Sequence, residues 1–349
     1  MKSISISLIL IVTVTIPFTN GCEKKSPYDL VSSCSVRKLE KLINNGLDVN
    51  AKYEKRQTLL HKATGECRKE IVEFLIAHGA DVNARDYLDY MPLHVSVDKS
   101  YIRDKRFVSN KEVVEILISS GAEVNAKAAK GLTPLYIAAS TPRLDIIELL
   151  IANGAEINVA NTNGETALYG AAAFGDTQIV EFLIDKGARV DVKNKEGVTP
   201  LHVAAENNHN HVTEVVKLLI ENGAQVNARD EAGTTPLINA VTSGSKSGQM
   251  EVAAVLLANG ANPNIADNYG LTPLHFASLT GNKEMIELLI SNGADIDVRD
   301  NYGDTPLGVA IGNGRKEIAV LLRKLEKLGT VTYFASCSLP SIFLFSKYI

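Results

Sequence analysis

The sequence carries none of the compact signatures of an enzyme. It has no H-E-x-x-H, no C-x-x-C, no G-x-x-x-x-G-K and no G-x-S-x-G. Zinc-protease, thiol-redox, phosphate-cradling and serine-nucleophile chemistry therefore have no local mark, and no motif calls for a cofactor. No block of lysine and arginine stands out from the alternating charges. The net charge is −4, and becomes −5 without residues 1–21, which hold one lysine and no acid. That balance argues against a nucleic-acid partner. No uninterrupted apolar run reaches the roughly 20 residues of a membrane-spanning helix. The run Ile4–Ile16 is too short, and Pro340 breaks the apolar last 20 residues. Four cysteines are too few and too scattered for a disulfide framework.

What is present is repetition. The stretch from Gly260, GANPNIADNYGLTPLHFA, returns as GADVNARDYLDYMPLHVS from Gly79, GAEVNAKAAKGLTPLYIA from Gly121 and GAEINVANTNGETALYGA from Gly154. Further copies start at Gly187, Gly223 and Gly293, and a weaker one at Gly46. The spacings of these glycines are 33, 42, 33, 33, 36, 37 and 33. Each part of the frame has a physical job. Thr272 is a helix cap, and Pro273 suits the first helical position. Leu274 and Ala277 share one helical face. The second helix, around Glu284–Ile290, alternates an apolar face with glutamates. Gly293 ends it in the left-handed conformation that glycine adopts most easily.

A period of 33 with T-P-L-H-x-A resembles the ankyrin-repeat family over roughly residues 27–329. The resemblance implies an all-α repeat solenoid of stacked helix-turn-helix units with β-hairpin-like fingers, about nine units including caps. One unit cannot bury its apolar face alone, so 27–329 reads as one elongated, monomeric domain. His61, His94, His202 and His275 hold the fourth position of T-P-L-H and are read as scaffold. Equivalent atoms of stacked units lie about 10 Å apart, too far for shared zinc ligation. His209 and His211 have no third ligand in sight. Cys34 and Cys67 are one period apart, and the same spacing predicts thiols rather than a disulfide.

The N-terminus follows another plan. Lys2, the apolar Ile4–Ile16 and the Gly21-Cys22 junction resemble a bacterial lipoprotein signal, with 1–21 removed, Cys22 lipidated and 22–26 a short tether. Thr19 and Asn20 depart from that pattern, which leaves ordinary secretory cleavage or an uncleaved anchor as alternatives. Two further segments stay open. Nine extra residues fall within Asp98–Lys111, read either as a tolerated surface loop or as a partner contact. Residues 330–349 are apolar and are read as a strand-like tail, a partner-binding peptide or non-native sequence.

In the family, partners dock on finger tips and on residues just after T-P-L-H-x-A-A. Carried onto this chain, those positions give Tyr87, Leu88, Tyr269 and Tyr302 at tips, and Phe174 and Leu279 on the inner helices. The resemblance implies a non-enzymatic protein-interaction scaffold with an unidentified protein partner. Cys22 adds a lipid membrane and places it at the bacterial cell envelope, facing periplasm or exterior. The alternatives are a secreted effector or toxin inhibitor, and behind them the regulatory arm of an enzyme or a passive spacer.

Overall fold

The computed structural model describes residues 26–33, 36–100, 111–207, 212–243 and 247–336. Cys22, Cys34, His209, His211, the centre of the Asp98–Lys111 insertion and residues 337–349 lie outside them. Within them the chain forms nine helix pairs. The first three are α1 (Pro27–Ser33) with α2 (Val36–Asn44), α3 (Leu59–Gly65) with α4 (Lys69–Ala77), and α5 (Pro92–Val97) with α6 (Lys111–Ser119). Then come α7 (Pro134–Ser140) with α8 (Leu144–Ala152), α9 (Ala167–Phe174) with α10 (Thr177–Asp185), and α11 (Pro200–Glu206) with α12 (Val212–Glu221). The last are α13 (Pro236–Thr242) with α14 (Ser247–Ala258), α15 (Pro273–Thr280) with α16 (Lys283–Ser291), and α17 (Pro306–Gly312) with α18 (Lys316–Ser336). Each first helix packs on the next first helix as well as on its own partner, which makes a solenoid.

The frame residues explain the local folding. Thr133, Thr166, Thr199, Thr235 and Thr305 each accept a hydrogen bond from the backbone N–H three residues on, satisfying a donor that a helix start leaves open. At Thr272 the closure runs through the neighbouring ring instead, with the backbone N–H donating to His275 Nδ1 at 3.1 Å. The frame leucines Leu60, Leu93, Leu168, Leu201 and Leu274 are fully buried. Gly293, at φ +87°, ends α16 as expected.

Two details add to the sequence reading. Among the described residues the fingers contain no strand. Each is a tight turn closed by two backbone bonds, such as Asn161 N–H to the Glu165 carbonyl at 2.9 Å and Gly164 N–H to the Asn161 carbonyl at 3.0 Å. The last helix also continues beyond residue 329, to Ser336. Leu325-Glu326-Lys327-Leu328 keeps a helical pattern, and no glycine in register follows to end it.

Candidate binding face

Three sets of hydrogen bonds run between neighbouring units and hold the fingers in line. The first is at the tips. Tyr87 N–H donates to the Lys55 carbonyl (2.9 Å), Ala129 N–H to Leu88 (2.8 Å) and Thr162 N–H to Lys130 (2.8 Å). Lys195 N–H donates to Asn163 (2.7 Å), Glu231 to Glu196 (2.8 Å), Asn268 to Ala232 (2.9 Å) and Asn301 to Tyr269 (3.0 Å). The eight fingers thus form an unbroken backbone-bonded row.

The second set uses asparagine. Asn50 donates its amide to the Gly79 carbonyl at 2.9 Å and accepts the Asp81 N–H at 2.8 Å. Asn83, Asn125, Asn158, Asn227 and Asn264 repeat the pair one unit further on each time. Asp191 takes this position once. Its carboxylate accepts the Gln225 N–H at 3.0 Å, but a carboxylate has no proton to give to Gly223.

The third set uses the frame histidines. In His61, Nδ1 accepts the Thr58 N–H at 3.2 Å, so the proton sits on Nε2, which donates to the Tyr90 carbonyl of the next finger at 3.0 Å. His94, His202 and His275 reach forward in the same way. Burial pushes all four imidazoles below the usual histidine range, opposed by these carbonyl bonds; His94 is lowered to about 4. They are neutral structural bridges at pH 7. Two units replace the ring with tyrosine. Tyr136 donates to the Glu165 carboxylate at 2.8 Å. Tyr169 is pushed up to about 12 by burial and by the carboxylates of Glu165, Glu196 and Glu206. Among the described residues no group of three His, Cys, Asp or Glu side chains is placed to hold a metal ion.

On this frame the tip residues of the sequence reading divide. Tyr302 and Tyr269 are 79% and 59% exposed, on consecutive fingers. Their backbone is pinned from below, where Asp267 Oδ1 accepts the Tyr269 N–H at 2.8 Å and Asp300 Oδ1 the Tyr302 N–H at 2.9 Å. Tyr87 is also exposed, with Lys55 Nζ 5.9 Å from its ring centre. Phe174 and Leu279 are exposed at the ends of α9 and α15. Leu88 is half-buried and packs on the core. Buried Asp86 accepts the N–H of both Leu88 and Tyr90, the same pair of bonds that Asp267 and Asp300 make in their fingers. Sequence reasoning missed two exposed apolar residues of the last unit, Ile311 and Val320. A signal was available: Val320 lies four residues from both Lys316 and Lys324, on the polar stripe of α18.

Stacked helix pairs with a bonded finger row define a helical-repeat solenoid. The chain belongs to the ankyrin-repeat family. The family model for ankyrin repeats in three copies matches at 30–128, 105–194, 168–267 and 245–330, well over half the chain. Repeats of this family are typically non-enzymatic and mediate protein–protein interaction. No curated protein matches the chain. Among the described residues no helix is long and apolar enough to cross a membrane.

Proposed function

We propose that the protein is a non-enzymatic scaffold that is tethered to a bacterial envelope membrane through Cys22 and captures a protein partner on its fingers and inner helices. The observation that carries the reading is the pair Tyr269 and Tyr302. Two rigid aromatics stand exposed on neighbouring fingers whose backbones are fixed by Asp267, Asp300 and the finger-to-finger bond. Preordered aromatic side chains lose little freedom on docking and are frequent interface anchors. Tyr87 with its neighbouring Lys55 belongs to a separate patch toward the other end, and Phe174 and Leu279 add apolar contact between them.

The decisive experiment is capture of membrane proteins by the repeat array, with Tyr269→Ala and Tyr302→Ala combined. Surface truncation leaves stability within about 0.5 kcal/mol, whereas losing an interface anchor costs about 2 kcal/mol or more in binding. Unchanged capture by the double variant would remove the tyrosines from the interface. The tether has its own test. Wild type takes up labelled palmitate and Cys22→Ala does not; absence of label in both favours a secreted protein. The departures at Thr19 and Asn20 are what favour that second reading, in which an effector or toxin inhibitor acts without lipid.

A further inference from the structure

A notch opens toward each end of the array. The N-terminal one, of about 310 Å³, is lined by Tyr28, Lys55, Gln57, Lys62 and Glu66 among others. Its charge is already met from inside. Lys62 pairs with Glu66 at 2.9 Å and lies 5.0 Å from the Tyr28 ring centre.

The C-terminal notch is different. It has a volume of about 610 Å³ and lies between the α15–α16 turn and the start of α18. Lys283, Arg315, Lys316 and Lys324 line it, against Glu317 as the lining carboxylate. Lys283 has a further acid, Glu287, at 3.8 Å on its outer side. The Arg315 guanidinium is held in place by donation from Nε to the Leu279 carbonyl at 3.0 Å, and its stem lies against Gly281. So a protein with an excess of acids concentrates cations at one concave place. That place also has an apolar floor. Lys316, Val320 and Lys324 are spaced four apart and form one stripe of α18. Val320 is 66% exposed between the two lysines, with half-buried Leu321 beside it. An end unit facing only water would have a polar residue there.

We infer that this notch docks an acidic segment of a partner protein, with an aliphatic side chain of that segment seated on Val320 and its carboxylates on Lys316, Lys324 and Arg315. Charge complementarity selects this occupant. A second copy stacking head to tail would bring Arg37, Lys38 and Lys41 of its own first unit, with Glu40 as the acid among them, onto an already cationic surface. The inference stands apart from the fingertip reading, because it uses none of those side chains.

The test uses the full chain and a fluorescent peptide of alternating glutamate and leucine at low salt, with a lysine–leucine peptide as the opposite charge. The acidic peptide should bind and the basic one should not. Lys316→Glu with Lys324→Glu should weaken binding by about tenfold or more, and Val320→Ser by several-fold. Tyr269→Ala with Tyr302→Ala should leave it unchanged, which separates this site from the fingertips. Lys55→Glu with Arg56→Glu should also leave it unchanged. No binding of the acidic peptide, or an equal loss in the Lys55–Arg56 variant, would overturn the inference. So would Lys316- and Lys324-dependent sedimentation with phosphatidylglycerol vesicles in the absence of peptide binding, which would assign the notch to a lipid surface. All the altered side chains are exposed, so folding is preserved in every arm.

Discussion

From Gly131 onward every finger places glycine at the left-handed position of its turn: Gly164, Gly197, Gly233, Gly270 and Gly303 follow, with φ between +78° and +87°. The first two fingers place Arg56 and Asp89 there, at φ +57° and +56°. A left-handed backbone costs about 1–2 kcal/mol for a residue with a side chain. Toward the C-terminal end glycine is also sterically required. A Cβ on Gly270 would meet the Asn301 backbone nitrogen at 2.8 Å. The two ends differ again at the frame histidine. His61 and His94 each bridge to a following finger, whereas the last unit has Gly308 and no following finger to reach. The comparison teaches that one repeat plan carries a side chain at its left-handed turn position at one end and glycine there at the other.

The largest way to sharpen this difference is acid. The native pKa of His94 lies near 4, below the unfolded value of 6.5. Above pH 6.5 both states are neutral, and the bridge is fully available. As the pH falls from 6.5 toward 4, the unfolded chain takes up the proton and the native one does not, so stability is lost over that window, by about 3 kcal/mol for this one group. Urea unfolding across that range should show a shallower pH slope in His94→Gln than in wild type, and hydrogen exchange should open the N-terminal units first.

A smaller effect exchanges the two kinds of finger. Gly270→Ala should destabilise the array by at least about 1–2 kcal/mol, from backbone strain and the Asn301 contact. Arg56→Gly should stabilise it by about 0.5–1 kcal/mol, strain relief exceeding the added freedom of the unfolded glycine. Equal and opposite shifts of the melting temperature are not expected, since only Gly270 has a backbone neighbour in the way. A change of similar size to the Arg56 one lies at the seam between the halves. Asp191→Asn restores the missing donation to Gly223 and should add about 0.5–1.5 kcal/mol, the net worth of one hydrogen bond, read as a higher urea midpoint at unchanged slope.

The fold was legible because its signals are local and recur. T-P-L capping, the leucine core and the closing glycines each follow from short-range chemistry, and eight copies in register leave little freedom. The exposure of Tyr87, Phe174, Tyr269, Leu279 and Tyr302 followed from their place in that frame. Leu88 did not: it is half-buried against the core, whereas Tyr269 and Tyr302, at the equivalent place of their own fingers, stand exposed. The asparagine bridges were equally hidden. The pattern V-N is visible in sequence, but that its amide reaches the next unit is a matter of stacking distance. Val320 was overlooked because a single valine among charges reads as an ordinary end cap until the cavity beside it is seen.

The bonded finger row has a mechanical meaning. Short hydrogen bonds tie neighbouring units along one edge, while the opposite edge is joined mainly by sliding apolar helix faces. A beam of this kind bends about its stiff edge: the second helices fan apart or close up, and the fingertips keep their step. A load arriving from the N-terminal side would therefore change the curvature of the array and leave Tyr269 and Tyr302 at a constant separation. The two rings are marks on a ruler whose graduations do not stretch.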